Sequence, residues 1–234
     1  MRWLHQHGYR TMDLNEMLAA TASGKSLHKR MVITFNRGYQ DFYTTAFPVL
    51  RQYGFGATVY LTTDCIHDSA MRMEGVDYMT WSQVRELHQS GIIFGSHTAT
   101  HADLWSLGLE QIDYELGYSK ECIEQKLGTP VDTFAYPLSF PEEDRGFTRF
   151  LVDLLENHGF ENGVSAIIGR ASSSSNRFYL PRLPINSWDD SPLLRAKLEG
   201  GYDWLHGPQW FNKVVHHNIS LMERSSVMET GGFE

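Results

Sequence analysis

An α/β fold built on a parallel sheet is what this 234-residue sequence predicts. Three observations carry that expectation: six short apolar runs, amphipathic stretches between them, and helix-start and helix-stop signals at the junctions. Strand followed by helix, repeated, sets successive strands parallel and joins them by right-handed crossovers. A (β/α) barrel and an open doubly wound sheet both satisfy that order. In either, ligands gather at the carboxyl ends of the strands.

Strands are expected over residues 31–35, 57–61, 92–95, 133–136, 164–168 and 178–183. The helix over 40–53 places Phe42, Ala46, Val49 and Leu50 on one face, with Pro48 bending or restricting it. Thr80-Trp81-Ser82-Gln83 reads as a capping box that opens a helix over 81–89. The helix over 110–127 carries Ile112, Leu116, Ile123 and Leu127, and Gly128-Thr129-Pro130 stops it. A further helix spans 149–158 and closes at Gly159. The last spans 192–205, behind the capping cluster Asp189-Asp190-Ser191. Residues 1–212 are read as one domain and residues 213–234, which lack a period, as a peripheral tail.

Bulk composition narrows the function. With 41% hydrophobic residues the chain can bury a substantial core, and a net charge of −8 argues against nucleic acid or an anionic membrane as main partner. No apolar run approaches the roughly 20 residues that span a bilayer. The opening MRWLHQHGYR has no apolar core of a signal peptide, so the compartment stays open, with the cytoplasm favoured. Cys65 and Cys122 show no paired spacing and read as small core residues.

The strand ends supply the candidate chemistry: Asn36-Arg37, Thr62-Thr63-Asp64, Ser96-His97, Tyr136-Pro137 and Arg182. No glycine-rich phosphate loop follows the first strand. In GSHTATH, His97 and His101 stand four apart directly after a strand, a spacing from which two imidazoles reach one cation. Such a pair also occurs as ordinary surface histidines. Tyr136-Pro137 reads either as a groove wall or as a structural turn. Arg182 reads as a partner for a carboxylate or ligand, or as one half of a structural ion pair. Tyr39, Trp81 and Trp188 offer flat faces for sugar rings, although each also suits core or rim packing.

These pieces, in this order, resemble the NodB-homology polysaccharide deacetylases, carbohydrate esterase family four. The resemblance runs from about residue 5 to 205. It rests on HGYRTMDLNEML, VITFNRGYQDFYTTAFPVLRQYGFGATVYLTT, MTWSQVRELHQSGIIFGSHTATHADL, ELGYSKECIEQKLGTPVDTFAYP and YLPRLPI. It implies a distorted (β/α) barrel that removes N-acetyl groups from amino-sugar polymers. It also implies a divalent metal, most often zinc, held by two histidines and the second aspartate of a T-F-D-D strand, with the first aspartate as general base. Carried over, His97 and His101 are metal ligands. Tyr136 lies in the groove, its backbone helping an oxyanion. Arg182 orients the base.

The sequence departs from that pattern where the chemistry sits. Asn36 stands at the base position and has no basicity at neutral pH. Arg37 stands at the ligand position and replaces an anion with a permanent cation. A guanidinium about 5 Å from a divalent ion repels it by roughly 6–7 kcal/mol at an effective dielectric of about 20. Ser139 replaces the glycine that usually follows the tyrosine–proline turn. No Leu-x-His strand supplies an acid, and neither His5, His7 nor His206 takes that place. Asp64, Asp41 and Asp103 are candidates to supply a replacement carboxylate, each with a duller reading as a turn or helix cap. Three readings follow: a weakened or inactive metal-dependent deacetylase, a carbohydrate- or partner-binding domain that has lost the chemistry, or a site in which Arg37 grips an anionic group such as a uronate or phosphate on a sugar.

Overall fold

A computed structural model describes residues 1–73 and 75–213 of the chain. Six strands line up in chain order: β1 (Thr34–Arg37), β2 (Thr58–Leu61), β3 (Ile93–Ser96), β4 (Thr133–Ala135), β5 (Asn162–Ile168) and β6 (Leu180–Arg182). Every pairing is parallel and joins sequence neighbours. Helices α1 (Leu14–Ala22), α2 (Phe47–Tyr53), α3 (Trp81–Gln89), α4 (Leu109–Leu127), α5 (Arg145–Asn157) and α6 (Ser191–Leu198) supply the connections. They flank every strand but one, because β5 passes to β6 through a loop alone. The sheet curls so that its two edges meet. Arg182 Nη1 on β6 donates to Asn36 Oδ1 (2.9 Å) and Thr34 Oγ1 (3.4 Å) on β1. Side-chain hydrogen bonds clasp the two edge strands, which gives the distorted barrel its form.

Several elements differ from the sequence expectation for physical reasons. The strand expected over 31–35 divides. Arg30–Met31 pairs with Arg10–Thr11 in a separate two-stranded sheet, while β1 continues through Asn36 and Arg37, opposite Tyr60 and Leu61. The polar pair therefore lies within the ladder, not after it. The helix expected over 40–53 is interrupted: Phe42–Ala46 forms a π-turn and α2 begins at Phe47. Pro48 has no N–H to reach the Thr44 carbonyl, so a continuous α-helix is barred there, whereas the first turn of α2 tolerates it. Asp41 stands at the start of the π-turn without capping it. α3 matches, with both capping-box bonds formed between Thr80 and Gln83. α5 starts four residues earlier than expected because the Asp144 carboxylate accepts from Phe147 N–H (2.9 Å). α6 stops at Leu198, where Gly200 takes a φ of 97° and Asp203–Leu205 forms a separate 3₁₀ turn.

Two apolar layers follow from strand alternation. Outside the sheet, Val59 and Leu61 pack with Leu50, Val84, Leu87, Ile112, Leu116, Leu151 and Leu155 of the helices. Inside it, Tyr60, Ala135, Val164 and Leu180 pack with Leu14 of α1. The Tyr60 hydroxyl meets Thr133 Oγ1 (2.9 Å), which donates to Asn162 Oδ1 (2.6 Å). Gly95 makes room for that ring, since a Cβ there would lie 2.6 Å from Tyr60 Cδ1 and 2.7 Å from the Thr133 carbonyl. Gly95→Ala is expected to cost about 1–3 kcal/mol of stability, read from urea unfolding.

The tail expected from residue 213 is docked at its first residue. Residues 206–213 are helical. Gln209 accepts from Ile168 N–H and donates to the Ala166 carbonyl, and Lys213 Nζ reaches the Phe140 carbonyl and Glu142. Residues 214–234 of that tail lie outside the described residues. No described helix is long and apolar enough to cross a membrane.

Candidate active site

The carboxyl end of β1 leaves regular geometry abruptly. Arg37 takes a φ of 71° and Gly38 one of 80°. Gly38 is required on two counts, because a Cβ there would also meet Leu61 Cδ2 at 2.7 Å. Thr98 (65°) and His101 (64°) after β3 share this left-handed backbone. Non-glycine residues held there cost of order 1–3 kcal/mol each and persist only where surrounding contacts fix them. Those contacts are present. Thr63 and Asp64 donate backbone N–H groups to the carbonyls of Thr98 and Ala99, and His101 N–H bonds Thr98 Oγ1 (3.0 Å). The buried Glu115 carboxylate of α4 takes both Thr100 N–H (2.9 Å) and Thr100 Oγ1 (2.6 Å).

This brings His97 and His101 together, ring centroids 4.7 Å apart at 74°. His97 is 1% exposed and its Nδ1 lies 2.7 Å from the Ala135 carbonyl. A carbonyl only accepts, so Nδ1 carries the proton and the lone pair is on Nε2. Burial first, and then the neighbouring cations, push the His97 pKa down to about 3 from its ordinary 6.5, against the pull of that hydrogen bond. The unfolded chain takes up a proton near pH 6.5 that the folded protein refuses. Stability from this residue is therefore full above about pH 6.5 and falls as pH drops towards 3. His97→Asn retains a donor for the carbonyl and removes the titration. Wild-type stability should fall faster than the variant's between about pH 6 and pH 4, by up to roughly 1.4 kcal/mol per unit in urea titrations.

Arg37 occupies the neighbouring space. Its Nη2 donates to His101 Nδ1 (2.8 Å) and its Nη1 to the Tyr39 hydroxyl (3.1 Å). Partial burial opposes its charge, but hydrogen bonds to Tyr39 and Tyr78 outweigh that and hold the pKa above the usual arginine value. Asn36 Oδ1 accepts from Arg182, whose Nε also donates to the Ser165 carbonyl (2.8 Å). Burial lowers the Arg182 pKa without removing its charge.

These residues do not fit a divalent metal. A neutral imidazole has one lone pair, and in His101 Arg37 takes it. Among the described residues no three His, Cys, Asp or Glu side chains converge in a metal-binding cluster. None of the nearby carboxylates repairs this: Asp103 accepts from Trp105 N–H (3.2 Å), while Asp64 and Asp41 are exposed.

Other expected positions fall differently. The Tyr136 side chain is 2% exposed, packed edge-on against Phe134 and Phe140, and its N–H donates to the Val164 carbonyl. Neither its phenol nor its amide is offered to a groove, because the turn buries both, and Pro137 is buried with it. Trp81 is buried among the α3 core residues. Trp188 is 75% exposed on the loop between β6 and α6. His5, His7 and His206 bond to Tyr53, Trp3 and Glu142. Tyr78 and Glu115 were not foreseen. Glu115 was legible as a carboxylate on the buried stripe of α4, beside Ile112 and Leu116; Tyr78 reaches Arg37 only through the tertiary pairing of residues 39 and 78.

Comparison with known proteins places the fold and the family. The family model described as polysaccharide deacetylase matches residues 23–162. YxkH of Bacillus subtilis (strain 168), named for the same family, is 30% identical over 203 residues, covering 86% of this chain and 66% of that protein. The poly-beta-1,6-N-acetyl-D-glucosamine N-deacetylase of Staphylococcus aureus (strain MSSA476) is 23% identical over 80% of this chain and 64% of its own length. The chain thus spans about two thirds of these relatives. In fold it is similar to Streptococcus pyogenes deacetylase PplD in complex with acetate, with a TM-score of 0.72, 23% identity and coverage of 84% and 82%. It is likewise similar to IcaB from Ammonifex degensii, with a TM-score of 0.68, 23% identity and coverage of 84% of each chain. With the match spanning more than half its residues, the chain belongs to the polysaccharide deacetylase family.

Proposed function

We propose that this domain binds carbohydrate in the manner of its family and has lost the hydrolytic step. The ligand class is an amino-sugar polymer or oligomer, the chemistry named for the staphylococcal relative. One observation carries the loss of hydrolysis: the 2.8 Å hydrogen bond from Arg37 Nη2 to His101 Nδ1. It consumes the lone pair a zinc ion would need, and it sets a cation where the family's third ligand stands. Asn36 adds to it, since an amide held by Arg182 takes no proton from water.

A residual metal-dependent deacetylase is the second reading. The orientation of His97 favours it, since Nδ1–H on the Ala135 carbonyl leaves Nε2 as the donor atom of a half-site. The test incubates the purified chain with zinc or cobalt, dialyses it, and measures bound metal together with acetate release from N-acetylglucosamine oligomers. Substoichiometric metal and no acetate are expected. One retained metal per chain with acetate release would establish the second reading instead.

A further inference from the structure

The site that fails as a cation site is built as an anion site. Arg37 and Arg182 both end there, and among the described residues neither forms an ion pair with a carboxylate. Every hydrogen-bond acceptor they meet is neutral: Tyr39, Tyr78 and His101 for Arg37, and Ser165, Asn36 and Thr34 for Arg182. The chain holds 28 acidic against 20 basic residues, so acidic partners are plentiful elsewhere. Charges drawn out of water are ordinarily paired, and both guanidiniums are partly buried.

The remaining polarity is almost wholly donor. A guanidinium has five N–H groups, and the contacts of Arg37 leave some of them unengaged. Asn36 spends its carbonyl on Arg182, and its Nδ2 has no partner among the described residues. The Tyr39 oxygen accepts from Arg37, which leaves the hydroxyl proton to be donated. The acceptor still open is His97 Nε2, on a ring that is 1% exposed.

We infer that this mouth binds the carboxylate of an acidic sugar, a hexuronate unit carried within an amino-sugar-containing polymer, through the Arg37 guanidinium and the Asn36 amide. The fork of a guanidinium matches the two oxygens of a carboxylate. The balance of charge selects a monoanion. Arg182 is committed to the β1–β6 clasp, so one accessible cation remains, whereas a phosphate monoester brings a charge nearer −2. The inference rests on the reading that His97 and His101 hold no metal.

Calorimetric titration tests it, with tetragalacturonate, neutral chitotetraose and glucosamine 6-phosphate as probes, each with EDTA and with zinc. Tetragalacturonate should bind in EDTA, weaken as salt rises, and weaken about tenfold to a hundredfold in Arg37→Gln, with Arg37→Lys between. Equal binding of chitotetraose, unchanged binding by Arg37→Gln, or preference for the phosphate would overturn it. Binding seen only with zinc would overturn the metal-free reading as well. No tetragalacturonate binding in either condition, with no zinc retained, would overturn this inference alone. Should the variants not fold, sodium acetate competing on the wild type decides: it must displace tetragalacturonate better than sodium chloride at equal ionic strength, and equal displacement overturns the assignment.

Discussion

The double variant Asn36→Asp with Arg37→Asp is expected to hold one zinc ion per chain through dialysis that strips the wild type. Three changes act together. Removing the guanidinium frees the His101 lone pair now bonded to Nη2 at 2.8 Å. It also removes the cation whose repulsion costs several decades of metal affinity. A carboxylate at position 37 then joins two imidazoles, the three protein ligands that catalytic zinc sites use. Arg37→Asp alone should recover most of the binding, and Asn36→Asp alone little. Metal analysis and a cobalt absorption band read the result. If the double variant folds and retains no metal, His97 and His101 are not a half-site and the 4.7 Å ring spacing is a packing arrangement only.

The second large effect concerns closure of the barrel. Arg182→Met keeps much of the side-chain volume and deletes the hydrogen bonds to the Ser165 carbonyl, Asn36 Oδ1 and Thr34 Oγ1. The orphaned acceptors, with the lost clasp between β1 and β6, should lower stability by roughly 2–4 kcal/mol, measured by urea unfolding. Amide exchange should quicken in β1 and β6 before the central strands, because those strands are the edges of the sheet. A loss under about 1 kcal/mol would place closure with the surrounding helices rather than with Arg182. Conversely, Asn36→Asp turns the 2.9 Å contact into an ion pair and should strengthen the clasp, an effect separable from metal binding by measuring it in EDTA.

Much of this architecture was legible in the amino-acid order. The apolar runs around Val59, Phe94, Phe134 and Val164 marked strands, the Thr80–Gln83 box located α3 to the residue, and Gly128 ended α4. These are local signals: side-chain period, capping chemistry and the conformational freedom of glycine act within a few residues. The site's departures were legible too, once the resemblance set Asn36 and Arg37 against the two aspartates of the family's strand. What the sequence did not contain was the partners. Arg182 clasps Asn36 across 146 positions, and Arg37 meets His101 across 64. Tyr136 turns into the core instead of a groove because Phe134 and Phe140 close around it. Residue identity alone determined that two carboxylates are absent from β1. Only the tertiary structure decided what took their place, because hydrogen bonds and charge depend on distances that the curled sheet sets between residues remote in the chain.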